Sequence, residues 1–175
     1  MQDESIKSVS SRPVYPPVEI NINAAYHLFI TEPSASSKVG NLLQQTAAKT
    51  HQLIESDNIE ELKLQLTELI GTLPLATSVY LAGRETYMWQ VYAVLAELGF
   101  IKEQIEMLTP TDNSRTVFCC HCYTQTHQVA AAPFECEGCG LPLTVTDHFS
   151  KRLGSYFGFQ VNAEAKDELP AAEAF

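Results

Sequence analysis

Four cysteines carry the most specific chemistry in this sequence. Cys119 and Cys122 form one Cys-x-x-Cys pair, and Cys136 and Cys139 form a second that runs directly into Gly140. Two residues between paired cysteines let a tight turn aim both sulfurs at one ion, and a glycine after the second pair relieves the backbone where it bends sharply. Residues 123 to 135 are long enough for a hairpin that brings the two turns together around a tetrahedral site. This is the spacing of a zinc ribbon.

Zinc held by Cys119, Cys122, Cys136 and Cys139 is therefore the expected structural cofactor. Iron is the rival, because tetrahedral thiolate sites suit both ions and the same paired geometry serves rubredoxin-like electron carriers. Four buried thiols without a metal are a poorer alternative, since few large apolar residues lie between positions 119 and 140 to build a core. Cys120, His121 and His127 crowd the motif. Cys120 in place of Cys119 would shorten the first pair to a one-residue gap, and a closed four-thiolate site has no vacancy for His127. With no vacancy there is no activated water, so a hydrolytic role for the metal is not expected.

Composition narrows the function classes. The chain has 175 residues, 45% of them apolar and 18% charged, which is a globular balance. Its formal net charge is -10, and four thiolates on a divalent ion would take it to about -12. Between residues 111 and 160 the acids outnumber the bases, so a phosphate-binding face and a nucleic-acid partner are not expected. The opening MQDESIKSVSS has neither a basic nor an apolar signal region. No apolar run reaches the roughly 18 to 20 residues of a membrane helix. All five cysteines fall between positions 119 and 139, an odd number that favours metal binding over a disulfide framework. A cytoplasmic protein is expected.

The elements that must position the cysteines follow from patterning. Residues 1–24 are polar and then proline-rich, and read as an extended arm. From Tyr26 to Ile30 runs a short apolar strand, followed by a turn, a helix over Lys38 to Ala48 and a second strand over His51 to Ile54. Asp57 and Glu60 have capping-box spacing before a helix marked by Ile59, Leu62, Leu66, Leu69 and Ile70. Val79 to Ala82 reads as a buried strand, Met88 to Leu98 as a helix and Gln104 to Leu108 as a last strand. Strands alternating with helices imply an α/β domain over 25–110, a small open parallel sheet with flanking helices. The ribbon and a docking segment occupy 111–162, and an Ala/Glu-rich tail over 163–175 is expected to be disordered.

The stretch Ser78 to Glu85, with the helix and strand after it, resembles the last β-α-β unit of ferredoxin-NADP reductase-type nucleotide domains. That resemblance implies a Rossmann-like fold and a nicotinamide beside a Cys-Gly-Pro turn. Here the turn is Ala82-Gly83-Arg84, and no Gly-x-Gly-x-x-Gly stretch is present. Gly83 and Arg84 are the candidate cofactor-binding residues, set against an ordinary strand-to-helix turn.

A more specific resemblance runs from about Ile20 to Ala163. The ribbon followed by Asp147-His148-Phe149-Ser150-Lys151-Arg152-Leu153-Gly154-Ser155-Tyr156-Phe157-Gly158, together with Tyr80 to Glu85 and Trp89, is similar to the small A subunit of bacterial dimethylamine monooxygenase. The resemblance implies a multicomponent oxygenase that converts dimethylamine to methylamine and formaldehyde with O2 and NADPH. It also implies a haem-bearing oxygenase subunit and a reductase subunit with flavin and an iron-sulfur cluster as partners, this chain being their accessory. Asp147, His148, Phe149, Arg152 and Tyr156 are then the expected partner interface, since aromatics and arginine are enriched at binding hot spots. A stand-alone nucleotide-dependent reductase and an iron electron-transfer module are the competing functions. No paired acid and base and no nucleophile elbow mark a catalytic residue.

Overall fold

The computed structural model describes residues 11–164 and 168–175. The first ten residues of the expected arm, and 165–167 of the expected tail, lie outside the described residues. The chain divides into two units, one over 15–114 and one joining 11–14 to 115–175.

The first unit is α/β. Strand β1 (Tyr26–Thr31) leads through a 3-10 turn (Pro33–Val39) and α1 (Gly40–Gln45) to β2 (His51–Glu55). Then come α2 (Ile59–Ile70), β3 (Thr77–Ala82), α3 (Glu85–Glu97) and β4 (Ile105–Met107). The strands pair in parallel in the order β2-β1-β3-β4. Because strands β1 and β3 are buried on both faces, alternate residues feed two cores. Leu28, Ile30, Val79 and Leu81 meet Leu62 and Leu66 of α2 and Met88, Val91 and Leu95 of α3. Phe29, Tyr80 and Ala82 meet Val39 and Leu42 on the other side.

Three local expectations change. The helix expected over Lys38 to Ala48 splits into the 3-10 turn and a short α1, which ends where Thr46 N–H and Oγ1 both donate to Leu43 O. The cap of α2 is Asn58 rather than Asp57: its Oδ1 accepts from Glu60 N and Glu61 N at 3.1 and 3.2 Å. The expected box fails because the helix begins at Ile59, which puts Glu60 one position too early. The expected arm is held from Tyr15 onward, whose hydroxyl donates to Glu85 Oε1 at 2.6 Å and accepts from Trp89 Nε1 at 3.0 Å.

The second unit is built on a five-stranded sheet, β6-β5-β10-β9-β8. Its strands are β5 (Arg115–Cys119), β6 (Gln125–Val129), β8 (Phe134–Glu135), β9 (Pro142–Ser150) and β10 (Ser155–Gln160). A separate pair joins β7 (Ala131–Ala132) to β11 (Glu173–Ala174). The tail expected to be disordered therefore ends in a strand. Its anchor is Phe175, whose ring lies 4.0 Å from the Arg115 guanidinium carbon, which also sits 4.7 Å from the Tyr156 ring. A terminal aromatic over a buried cation outweighs a polar composition.

Two buried polar groups of the first unit give measurable consequences. Glu32, 3% exposed, follows β1 and accepts Arg84 N at 2.7 Å and Arg84 Nε and Nη2 at 2.9 and 2.6 Å. Removing the carboxylate strands a half-buried guanidinium and a helix-entry amide, so Glu32→Ala is expected to cost about 2 to 4 kcal/mol in urea titration. His27 is 0% exposed, stacks on Tyr80 and has no hydrogen-bond partner at Nε2 among the described residues. Burial, then the charges of Lys49 and His51, lower its pKa from 6.5. The folded state holds His27 neutral while the unfolded chain takes up a proton below about 6.5, so stability falls as pH drops through that value. The His27→Phe variant keeps the ring stack and should lose that slope, at most about 1.4 kcal/mol per pH unit, in paired melts from pH 7 to 5.5.

Candidate metal centre

The same turn occurs twice in the second unit. After β5, Cys119 N donates to Thr124 O and Tyr123 N to Cys119 O, both at 2.9 Å. Before β9, Cys136 N donates to Leu141 O at 3.0 Å and Gly140 N to Cys136 O at 2.9 Å. Each turn presents two sulfurs and needs a left-handed residue just after its second cysteine: Gly140 at φ 69° in one, Tyr123 at φ 65° in the other. Glycine meets that demand freely, whereas a side chain there costs roughly 1 to 2 kcal/mol. The turns interlock at Gly138, where a Cβ would fall on Thr124 Oγ1 and 3.1 Å from Cys122 Sγ.

The four sulfurs lie within 4.8 Å of one another. Cys119 and Cys139 are 3.9 Å apart, Cys122 and Cys136 3.6 Å. Metal–sulfur bonds of about 2.3 Å in a tetrahedron give edges of about 3.8 Å, so the quartet has the dimensions of a bound ion. Leu143, Phe134 and Leu141 pack around it, with Cys119 and Cys136 buried and Cys122 and Cys139 half-buried.

Electrostatics within the quartet is lopsided. The Thr124 hydroxyl and amide, against some burial, bring the Cys122 thiol down to about 6. At Cys139 the Leu141 amide favours the thiolate, yet burial and the thiols of Cys122, Cys136 and Cys119 together push it up to about 12. Four like charges this close do not coexist without a cation, and a central divalent ion inverts that logic for all four. The donor set is soft, closed and fit for a metal.

The neighbours take other roles. His127 is exposed with Nδ1 3.2 Å from Thr116 Oγ1, and His121 is exposed. The Cys120 thiol, pushed up by burial and then by Cys119, is not in the quartet, and its amide donates to Gly158 O at 3.0 Å. Thr124 and Gly138 escaped sequence reasoning, although the Cys-x-Gly-Cys-Gly order around Gly138 was the signal to follow.

The remaining candidates separate. A Cβ on Gly83 would lie 2.7 Å from Tyr87 Cδ1 and 2.8 Å from Glu32 Oε2, so the space a phosphate would use is filled. Arg84 does meet an anion there, and it is the chain's own Glu32. Of the expected interface, Asp147, His148 and Arg152 are exposed, with Asp147 Oδ1 3.6 Å from Arg12 Nη1. Phe149 and Tyr156, 7% and 3% exposed, face inward as a cross-strand pair with ring centroids 4.8 Å apart. Their segment is a hairpin, and strand alternation sends these two rings into the core.

Comparison with known proteins shows what this geometry is similar to. A curated relative, the "Heme-dependent oxidative N-demethylase delta subunit" of Ectopseudomonas mendocina (strain ymp), is 29% identical over 157 residues, covering 88% of this chain and 90% of the relative. No solved structure matches. The family model for the C-terminal domain of dimethylamine monooxygenase subunit DmmA-like proteins matches residues 116–159, a span holding all four sulfur ligands and the Asp147 to Gly158 run. The module built on the paired cysteines is thus similar to a DmmA-like C-terminal domain, and the similarity to the N-demethylase subunit extends over most of the chain.

Proposed function

We propose that this chain is an accessory subunit of a multicomponent, haem-dependent dimethylamine monooxygenase, docking between an oxygenase subunit that carries the haem and a reductase subunit that carries flavin and an iron-sulfur cluster. The observation that carries this reading is the similarity over 88% of the chain to a subunit named for haem-dependent oxidative N-demethylation. Two features of the chain support a non-catalytic part in it. The sulfur quartet is closed, so an ion there holds the ribbon together and offers no position to substrate. The crevice at the carboxyl edge of the parallel sheet, where nucleotides bind in such sheets, holds Glu32 and Tyr87. No helix among the described residues is long and apolar enough to cross a membrane.

In this reading Cys119, Cys122, Cys136 and Cys139 hold one zinc, and Asp147, His148 and Arg152 are exposed docking contacts. Elemental analysis should give one zinc per chain. Cys139→Ser should lower zinc content and unfold the second unit, since such sites contribute roughly 10 to 16 kcal/mol of apparent binding energy. Stoichiometric iron with a visible charge-transfer band would instead favour the electron-transfer alternative.

Assembly tests the subunit role. Co-expressed with the haem-bearing and flavin-bearing subunits, the chain should co-purify with them and be required for amine-dependent NADPH consumption. Alone, it should give no binding heat with NADPH. A low-micromolar dissociation constant for NADPH in the isolated chain would revive the reductase alternative.

A further inference from the structure

The five-stranded sheet of the second unit has one packed face, and its opposite face, covered at Thr116 and Ser155, carries an aromatic strip beyond them. Val117 and Tyr156 are register partners on the packed face, where Cys119 also pairs with Gly158, and Val117, Cys119 and Tyr156 are all at most 3% exposed. One residue along, Phe118 pairs with Phe157 on the opposite face, with ring centroids 5.9 Å apart edge to face. Phe159, two residues further on β10, is 48% exposed on that same face. Tyr123 extends the strip from the metal turn, 5.8 Å from Phe118 and 72% exposed.

Tyr123 is the informative member. Its turn is the twin of the one at Gly140, and glycine there would remove the left-handed penalty. The chain instead holds a large aromatic in a strained conformation and leaves it in solvent, where it contributes little to the fold. Strain kept at an exposed aromatic points to a role outside the chain.

We propose that Tyr123, Phe118, Phe157 and Phe159 form the docking face for a partner subunit that presents arginine or lysine side chains. This rests on the accessory-subunit reading and specifies its interface. Charge chooses the occupant. Across the sheet the strip is flanked by Gln125, paired with Phe118, and Thr144, paired with Phe159, and Glu135 lies at the far edge, so no lysine or arginine stands among these positions. The chain as a whole carries a formal charge of -10, which opposes a second copy of itself on this face. Ring faces attract guanidinium and ammonium groups, and an aromatic centre within a polar rim is the anatomy of a binding interface.

The experiment reconstitutes the full chain with the haem-bearing and flavin-bearing subunits and measures affinity by interferometry at low and high salt. Tyr123→Gly removes the ring and the strain together, and Phe159→Thr removes the second exposed ring while keeping a strand former. Both should retain wild-type metal content, and Tyr123→Gly should melt at or above the wild-type temperature. Each should weaken assembly at least tenfold, and the wild-type complex should loosen as salt rises. Wild-type affinity in both variants, with the wild-type chain assembling normally, overturns the docking face and leaves the accessory-subunit reading standing. No complex with the wild-type chain overturns both. A wild-type dimer that Tyr123→Gly dissociates overturns the assignment of the occupant.

Discussion

Four sulfurs within 4.8 Å of one another form an arrangement that repels itself as soon as its members ionise, and the second unit is organised around holding it together. Both turns spend their backbone amides on closing themselves and one needs Gly138 to let Thr124 and Cys122 approach. The apolar material nearby is small: Leu143, Phe134 and Leu141 cannot supply a core of ordinary size. A central cation would convert that mutual repulsion into attraction, and the four sulfurs have the spacing to hold one. Strands β5 and β9 begin or end at those turns, and β10 between them positions the hairpin that carries Asp147, His148 and Arg152.

The first unit is governed by a different constraint. A parallel sheet in the order β2-β1-β3-β4 reverses its winding between β1 and β3, which opens a crevice at the carboxyl edge there. In a nucleotide-binding protein that crevice is kept for the ligand, with small residues and free amides. Here the Glu32 carboxylate accepts from the Arg84 amide at the entry of α3 and from the Arg84 guanidinium, while Tyr87 lies against Gly83. Burial, then the charges of Glu32 and Asp57, keep the Tyr87 phenol protonated. A carboxylate at a helix N-terminus is stabilising for the same reason that a phosphate is, so the fold keeps the electrostatics of its crevice while satisfying it internally.

How much of this the sequence discloses depends on whether a feature is local. The quartet was legible because two Cys-x-x-Cys pairs state their chemistry within a few residues, and the order of strands and helices was legible because apolar spacing records which face is buried. Asn58, Glu32 and Phe175 were not. Asn58 competes with Asp57 for one cap, and only the backbone at φ -99° decides between them. Glu32 reaches Arg84 across the sheet, a pairing that exists only once β1 and β3 are neighbours. Phe175 ends a polar stretch whose composition hides one anchoring ring. Phe149 and Tyr156 were visible as aromatics, but the direction of each ring needed the hairpin register.

The two units converge on one property. The four sulfurs of the second unit face one another, and the sheet crevice of the first holds the chain's own carboxylate, so each satisfies its polar groups from within. What the chain leaves uncommitted is surface: an acidic exterior and a strip of rings on the ribbon sheet. A protein that needed only to be stable would place glycine at the first turn as it does at the second. Keeping tyrosine there sacrifices a little stability in the turn that presents Cys119 and Cys122. Such a cost persists only where the ring is worth more to an assembly than to the fold.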